Sequence, residues 1–188
     1  TAPMLVEVAD VAALPELFGY AMLRDGPVLV LGGGSNLLFA TDPPGAALSL
    51  TAQGIAIVAD DRGSVIVRAD AGVGWHDFVL WTLGHGLCRH EHPALIPGPV
   101  GAAPIQNIGA YGVEVRDCIH AVDAFDRHTG RFIRLDAADC TFRLTATLER
   151  AQVATADVSG DAATVDQTSG GTVTTELTVK RPACSGQA

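Results

Sequence analysis

The chain has 188 residues, 48% of them hydrophobic and 18% charged, which suits one domain of ordinary size, or two small lobes on a shared core, and excludes a disordered chain. A formal charge of -9, a single lysine (Lys180) and no Lys/Arg run argue against nucleic acid or an anionic membrane surface as partner. An anionic ligand would have to be held by main-chain N–H groups, helix N-termini or scattered arginines.

Cys88, Cys118, Cys140 and Cys184 form no C-x-x-C pair, so neither a zinc site nor a disulfide framework is expected. With no apolar run of about 18 residues and no signal-peptide pattern, the expected setting is cytoplasmic, with reduced thiols. The chain opens at Thr1 without a methionine, which predicts that the natural N-terminus is missing.

The first predicted elements are a strand over Leu5–Val8 and a helix capped by Asp10. Leu14, Leu17, Phe18, Ala21 and Met22 recur at helical spacing until Asp25-Gly26-Pro27. A continuous apolar strand, Pro27–Leu31, then runs into Gly32-Gly33-Gly34-Ser35-Asn36-Leu37-Leu38-Phe39. Three glycines after a buried strand can turn several N–H groups inward as a nest for phosphate oxygens, or simply form a tight turn. The run matches neither G-x-G-x-x-G nor the lysine-bearing phosphate loop, which excludes a Rossmann or ATPase reading.

Ala47–Leu50, Ile55–Val58 and Ser64–Ala69 read as an antiparallel meander, with a hairpin turn at Asp60-Asp61-Arg62-Gly63. Trp75–Leu83 reads as a largely buried helix ending at Gly84-His85-Gly86, with His76 at the surface and His85 at the helix end, neither a catalyst. In Leu87–His92 the residues Cys88, His90, Glu91 and His92 are too close in sequence to share one ion, so the segment reads as a polar approach to a glycine-rich loop.

That loop, Ala94–Val115, holds Gly98, Gly101, Gly109 and Gly112 with Pro97, Pro99 and Pro104, and no charge before Glu114. It is too apolar for a solvated linker. A buried loop must find partners for its backbone, and glycines let main-chain N–H groups approach a ligand closely, so the segment is expected to wrap something polar. Ala121–Phe125 and Arg131–Leu135 around Asp126–Gly130 form the clearest predicted hairpin, and Asp136–Cys140 a turn.

The two glycine stretches together, L-G-G-G-S-N-L-L-F at Leu31–Phe39 and I-P-G-P-V-G-A-A-P-I-Q-N-I-G-A-Y-G-V-E-V at Ile96–Val115, resemble the FAD-binding domain of the UDP-N-acetylenolpyruvoylglucosamine reductase family. The resemblance runs from about Leu5 to Phe142. It implies an α+β, two-lobed FAD-binding fold of the vanillyl-alcohol-oxidase (PCMH) type, not a Rossmann fold. It also implies a flavin pyrophosphate held by Gly32, Gly33, Gly34, Ser35, Asn36 and Leu37 on one side. On the other side stand Ile96, Pro97, Gly98, Val100, Gly101, Ala102, Ala103, Asn107, Gly109, Ala110 and Tyr111. In that family NADPH reduces FAD, the flavin passes hydride to the enolpyruvyl group of a sugar nucleotide in peptidoglycan precursor synthesis, and a serine of a later domain supplies the proton.

The chain departs from the family where F-x-Y-R-D-[ST] is expected. It reads Phe142-Arg143-Leu144-Thr145-Ala146-Thr147, so no catalytic residue is assigned and turnover is not expected of this chain. The expected organisation is an FAD-binding domain over 1–142 and a Thr/Ala/Gly-rich, poorly ordered tail over 143–188. After Phe142 no Phe, Tyr or Trp occurs, leaving little to bury against the entropy of ordering. Permitted codons for Phe142–Thr147, read two bases on, give Ser-Ala-Tyr-Arg-Asp, so an out-of-frame terminus stands beside natural truncation, and the coding DNA decides between them. A non-catalytic flavin-binding module and an unstable fragment are the other readings.

Overall fold

The computed structural model describes residues 2–35, 37–61, 63–87, 94–110, 112–140 and 170–180. The first lobe contains β1 (Met4–Val8), α1 (Leu14–Leu17), α2 (Ala21–Asp25), β2 (Val28–Val30) and β3 (Ala46–Leu50). Its three strands form a parallel sheet in the order β1-β3-β2, with Ala47 opposite both Leu5 and Leu29.

The predicted first helix is divided. Asp10 does cap, its Oδ1 accepting from the Ala12 N–H at 2.9 Å, but it opens only a single 3-10 turn. Pro15 sits where the start of a helix tolerates it, and α1 ends before Gly19. Tyr20 is extended (φ -73°, ψ 132°) before α2 begins.

The second lobe is built from β4 (Ile55–Asp60), β5 (Ser64–Asp70), α3 (Trp75–Gly84), α4 (Ala103–Gln106), β6 (Gly109–Ala110), β7 (Val113–Glu114), β8 (Ile119–Asp126), β9 (Arg131–Asp136) and β10 (Gly170–Lys180). Five of its strands form an antiparallel sheet in the order β4-β5-β10-β8-β9, and β6 pairs with β7 alone. The β4–β5 and β8–β9 hairpins are those read from the sequence. The meander is not: β3 leaves it for the parallel sheet. The physical reason is burial, since Ala46, Ala47 and Leu48 are all buried and a strand covered on both faces suits a parallel sheet.

The tail also departs from expectation over 170–180, where β10 is the middle strand, paired with β5 on one side and β8 on the other. Its Thr and Val residues are β-branched and fit a pleated sheet without aromatic residues, and Leu177 is fully buried. The remainder of the tail lies outside the described residues.

Two cores result. In the second lobe Trp75, Phe78 and Val79 of α3 pack with Val65 and Val67 of β5, Val122 of β8 and Leu177. In the first lobe Val8, Leu14, Phe18, Leu23, Ala46 and Leu48 pack together, joined by Phe125 from β8. Phe125 therefore fastens the lobes to each other, with its ring centroid 5.4 Å from that of Phe18. Beside it Arg127 lies over the Phe18 ring at 5.3 Å and its Nη2 donates to the Leu23 carbonyl at 3.5 Å. Burial lowers the pKa of this guanidinium, which nonetheless stays charged at neutral pH.

Candidate functional site

The glycine run is delivered by β2. Its last tie to the sheet is the Leu31 N–H to the Leu48 carbonyl at 2.8 Å. Beyond it the N–H groups of Gly32, Gly33 and Gly34 donate to no backbone carbonyl among the described residues. Gly34 has φ +70°, which L side chains rarely adopt.

The facing wall comes from the second lobe. Gly98 accepts from the Trp75 N–H at 2.9 Å, and the N–H groups of Val100 and Gly101 donate to the carbonyls of Val73 (2.7 Å) and Ala71 (3.0 Å). The loop is thus fastened to the segment between β5 and α3. Gly98 itself has φ +115°, and Gly101 presses so close to Ala71 that a Cβ would stand 2.6 Å from the Ala71 Cβ.

The two glycine stretches meet. A Cβ on Gly33 would lie 3.4 Å from the Gly98 Cα, and one on Gly32 would lie 3.2 Å from Pro99 Cγ. Between them opens a cleft of about 530 Å³, counting space open to solvent. Gly32, Gly33, Gly34, Ser35 and Leu37 line it from one side and Gly98, Pro99, Ala102 and Gln106 from the other. Gly101 and Ala102 continue the wall toward Ala71 and Ile105.

Not all of the predicted positions reach the cleft. Val100 and Ala103 are fully buried in the core, and Ile96 packs against it. Pro97 is exposed beside the cleft. Asn107 is buried with its amide bonded to Glu114 and Arg116, while Gly109 and Ala110 form β6, where a Cβ on Gly109 would collide with the Val113 carbonyl. Asn36, Tyr111 and the Cys88–His92 segment lie outside the described residues.

Sequence reading missed Pro99 and Gln106. Their signal was spacing: Gln106 stands four residues after Ala102, hence on the same helical side.

The free main-chain donors sit on the first run, while those of Val100, Gly101 and Ala102 are engaged within the fold. The arrangement suits an anion: exposed N–H groups on one wall, a close-set Gly98 and Pro99 on the other. The residues present therefore fit a dinucleotide pyrophosphate, because side chains at Gly32 and Gly33 would narrow the space it needs.

His76 is half-buried rather than at the surface, with its Nδ1 enclosed and unpartnered, while His85 stacks on Trp81 at 3.8 Å and bonds the Trp81 carbonyl. Burial, reinforced by Asp139 and Asp136, pushes the Cys140 thiol up, so that it is a protonated core residue rather than a nucleophile. Among the described residues no group of three His, Cys, Asp or Glu is placed to hold a metal ion, and no helix is long and apolar enough to cross a membrane.

Three comparisons bear on this cleft. The family model for the FAD binding domain matches residues 2–136. The UDP-N-acetylenolpyruvoylglucosamine reductase of Xanthomonas euvesicatoria pv. vesicatoria is 53% identical over 142 residues, 76% of this chain and 41% of that protein. The enzyme of the same name from Xanthomonas oryzae pv. oryzae is 54% identical over 140 residues, 74% of this chain and 41% of that protein. The chain thus spans about two fifths of the length of these relatives.

Among solved structures, UDP-N-acetylenolpyruvylglucosamine reductase from Thermus caldophilus superposes with a TM-score of 0.64 at 23% identity, over 95% of this chain and 56% of that one. A solvent-stable cholesterol oxidase superposes with a TM-score of 0.61 at 13% identity, over 94% of this chain and 34% of that one. At such identities these two show the shared fold, the two-lobed PCMH type and not a Rossmann fold.

Proposed function

The chain belongs to the FAD-binding domain family, and from that premise we propose that it is the flavin-binding part of an NADPH-dependent reductase acting on the enolpyruvyl ether of UDP-N-acetylglucosamine, in the cytoplasmic assembly of peptidoglycan precursors. The observation that carries the reading is the cleft itself: Gly32–Gly34, whose N–H groups donate to no backbone carbonyl among the described residues, set against Gly98 so that a Cβ added to Gly33 would stand 3.4 Å from the Gly98 Cα. Similarity to the reductases at 53–54% identity supports the substrate class.

Bound FAD would supply hydride transfer, and the chain's own residues would supply position. The N–H groups of Gly32, Gly33 and Gly34 would donate to pyrophosphate oxygens, which in a chain with one lysine takes the place of a cationic clamp. Ser35 extends that wall. Gly98 and Ala102 keep the opposite wall low enough for the phosphates to enter.

Among the described residues lining the cleft, none carries a carboxyl, imidazole, thiol or amine to give a proton to a carbanion, and the tyrosine–arginine motif of the resemblance has no match after Phe142. The expected result is a yellow protein without turnover. The test is absorbance in the flavin bands after incubation with FAD and gel filtration, followed by NADPH oxidation dependent on the enolpyruvyl sugar nucleotide. Absence of retained flavin would sink the cleft assignment; steady substrate-dependent oxidation would overturn the assignment of proton transfer to residues beyond this chain.

A further inference from the structure

Asn107 stands in the second glycine stretch, where resemblance assigns it to the cofactor, yet its surroundings give it another task. It caps α4 in the left-handed region (φ 42°, ψ 54°), a conformation that asparagine and glycine tolerate best. Only 5% of it is exposed, so both ends of its amide need partners inside the protein. They have them: Nδ2 donates to Glu114 Oε2 at 2.7 Å, and Oδ1 accepts from the Arg116 N–H at 3.3 Å. Glu114 Oε2 also accepts from Arg116 Nε at 2.7 Å, which holds the carboxylate in place.

On the other side, Gln106 and Ala102 at the two ends of α4 line the cleft. A four-residue helix cannot hold its own shape. Its C-terminal end is held because Asn107 ties it to β7 and the 3-10 turn after β7.

We propose that Asn107 is a positioning residue of the flavin cleft, bracing the α4 wall through Glu114 and the Arg116 main chain, and that it is not a ligand of the cofactor. The inference rests on the flavin reading for its functional part, while the brace itself is a property of the unliganded protein.

An exchange of partners tests it. Asn107→Ala and Asn107→Gly remove the amide, the glycine variant keeping the left-handed backbone. Asn107→Asp combined with Glu114→Gln reverses the amide and the carboxylate: the new carboxylate accepts from the glutamine Nε2 and from the Arg116 main-chain N–H, while the half-exposed Arg116 guanidinium gives up its bond to position 114 for water, so the brace is rebuilt without an amide at position 107. FAD affinity is measured by titration, at a temperature where circular dichroism shows each variant folded. Amide exchange at the Arg116 N–H is followed in the apoprotein.

The expected result is a loss of FAD affinity of about tenfold for Asn107→Ala and Asn107→Gly, recovery to within about twofold in the exchanged pair, and Arg116 protection that is lost and regained in step. An exchanged pair that regains Arg116 protection but still binds FAD as weakly as Asn107→Ala would show the amide to be a direct ligand and overturn the proposal. Single variants that bind FAD like the parent would overturn it as well. Should the parent protein take up no FAD while Arg116 protection follows the predicted order, the flavin reading fails and the brace stands.

Discussion

A Cβ at Gly101 would press on the Ala71 Cβ at 2.6 Å and its carbonyl oxygen at 3.0 Å, whereas one at Gly33 would meet the Gly98 Cα at 3.4 Å, an ordinary contact inside the cleft. The two glycines therefore answer to different demands, one to close packing and the other to room for a ligand. Gly101→Ala is expected to cost about 1–3 kcal/mol of folding stability, because backbone and not a flexible side chain must give way. Gly33→Val, at an exposed position without positive φ, is expected to shift stability by no more than about 0.5 kcal/mol while cutting FAD affinity at least tenfold. Urea denaturation and flavin titration separate the two, and equal losses of stability in both variants would contradict the assignment. Residue by residue, the stretches expected to hold the cofactor contain both the glycines that line the cleft and Val100 and Ala103, which do not line it. These lie three apart on one helical side and are both fully buried, whereas Ala102 and Gln106, four apart, face the cleft. A motif read as a string carries no direction, and direction is what sorts the side chains turned to the core from those that line the cleft.

Among the elements, the hairpins β4–β5 and β8–β9 and the helix α3 were legible because each is specified locally, by alternation, turn residues or a run of apolar side chains closed by glycine. What was not legible is pairing at a distance. Nothing in Ala46–Leu50 says that its neighbours are β1 and β2 rather than β4, except the uninterrupted burial that only the folded lobe reveals. Likewise Gly170–Lys180 has the composition of a tail and the residue types of a strand, and propensity alone does not choose between them. The prediction at this scale is Leu177→Ala. Leu177 is fully buried with Val65, Val67 and Val122, so its truncation is expected to lower stability by about 2–5 kcal/mol. A loss under about 1 kcal/mol in chemical denaturation, within the range of surface changes, would mean that β10 is not seated in this core.

For the whole molecule, the cleft exists only because two lobes are held at one spacing: its glycine run hangs from the first lobe and Gly98 is anchored to the second. Phe125 is the main apolar link, set into the core of the first lobe from a strand of the second. Phe125→Ala is expected to destabilise by about 3–5 kcal/mol, with the loss concentrated in the first lobe. Hydrogen exchange should then quicken in β1, β3 and α1 while β5 and α3 keep their protection; uniform quickening would argue that the lobes unfold as one unit.

The position of β10 also sets an order in time. The hairpins β4–β5 and β8–β9 each close over short distances, but they are joined only through a strand that leaves the ribosome after both. The contact between Asp70 and Thr174 spans roughly a hundred residues, the kind of distant closure that slows folding. Until it forms, β5 and β8 each present an open edge of unpaired backbone groups, the template on which nascent chains cling to one another. A slowly synthesised or interrupted chain would meet this hazard in its second lobe, long after the three strands of the first have been made.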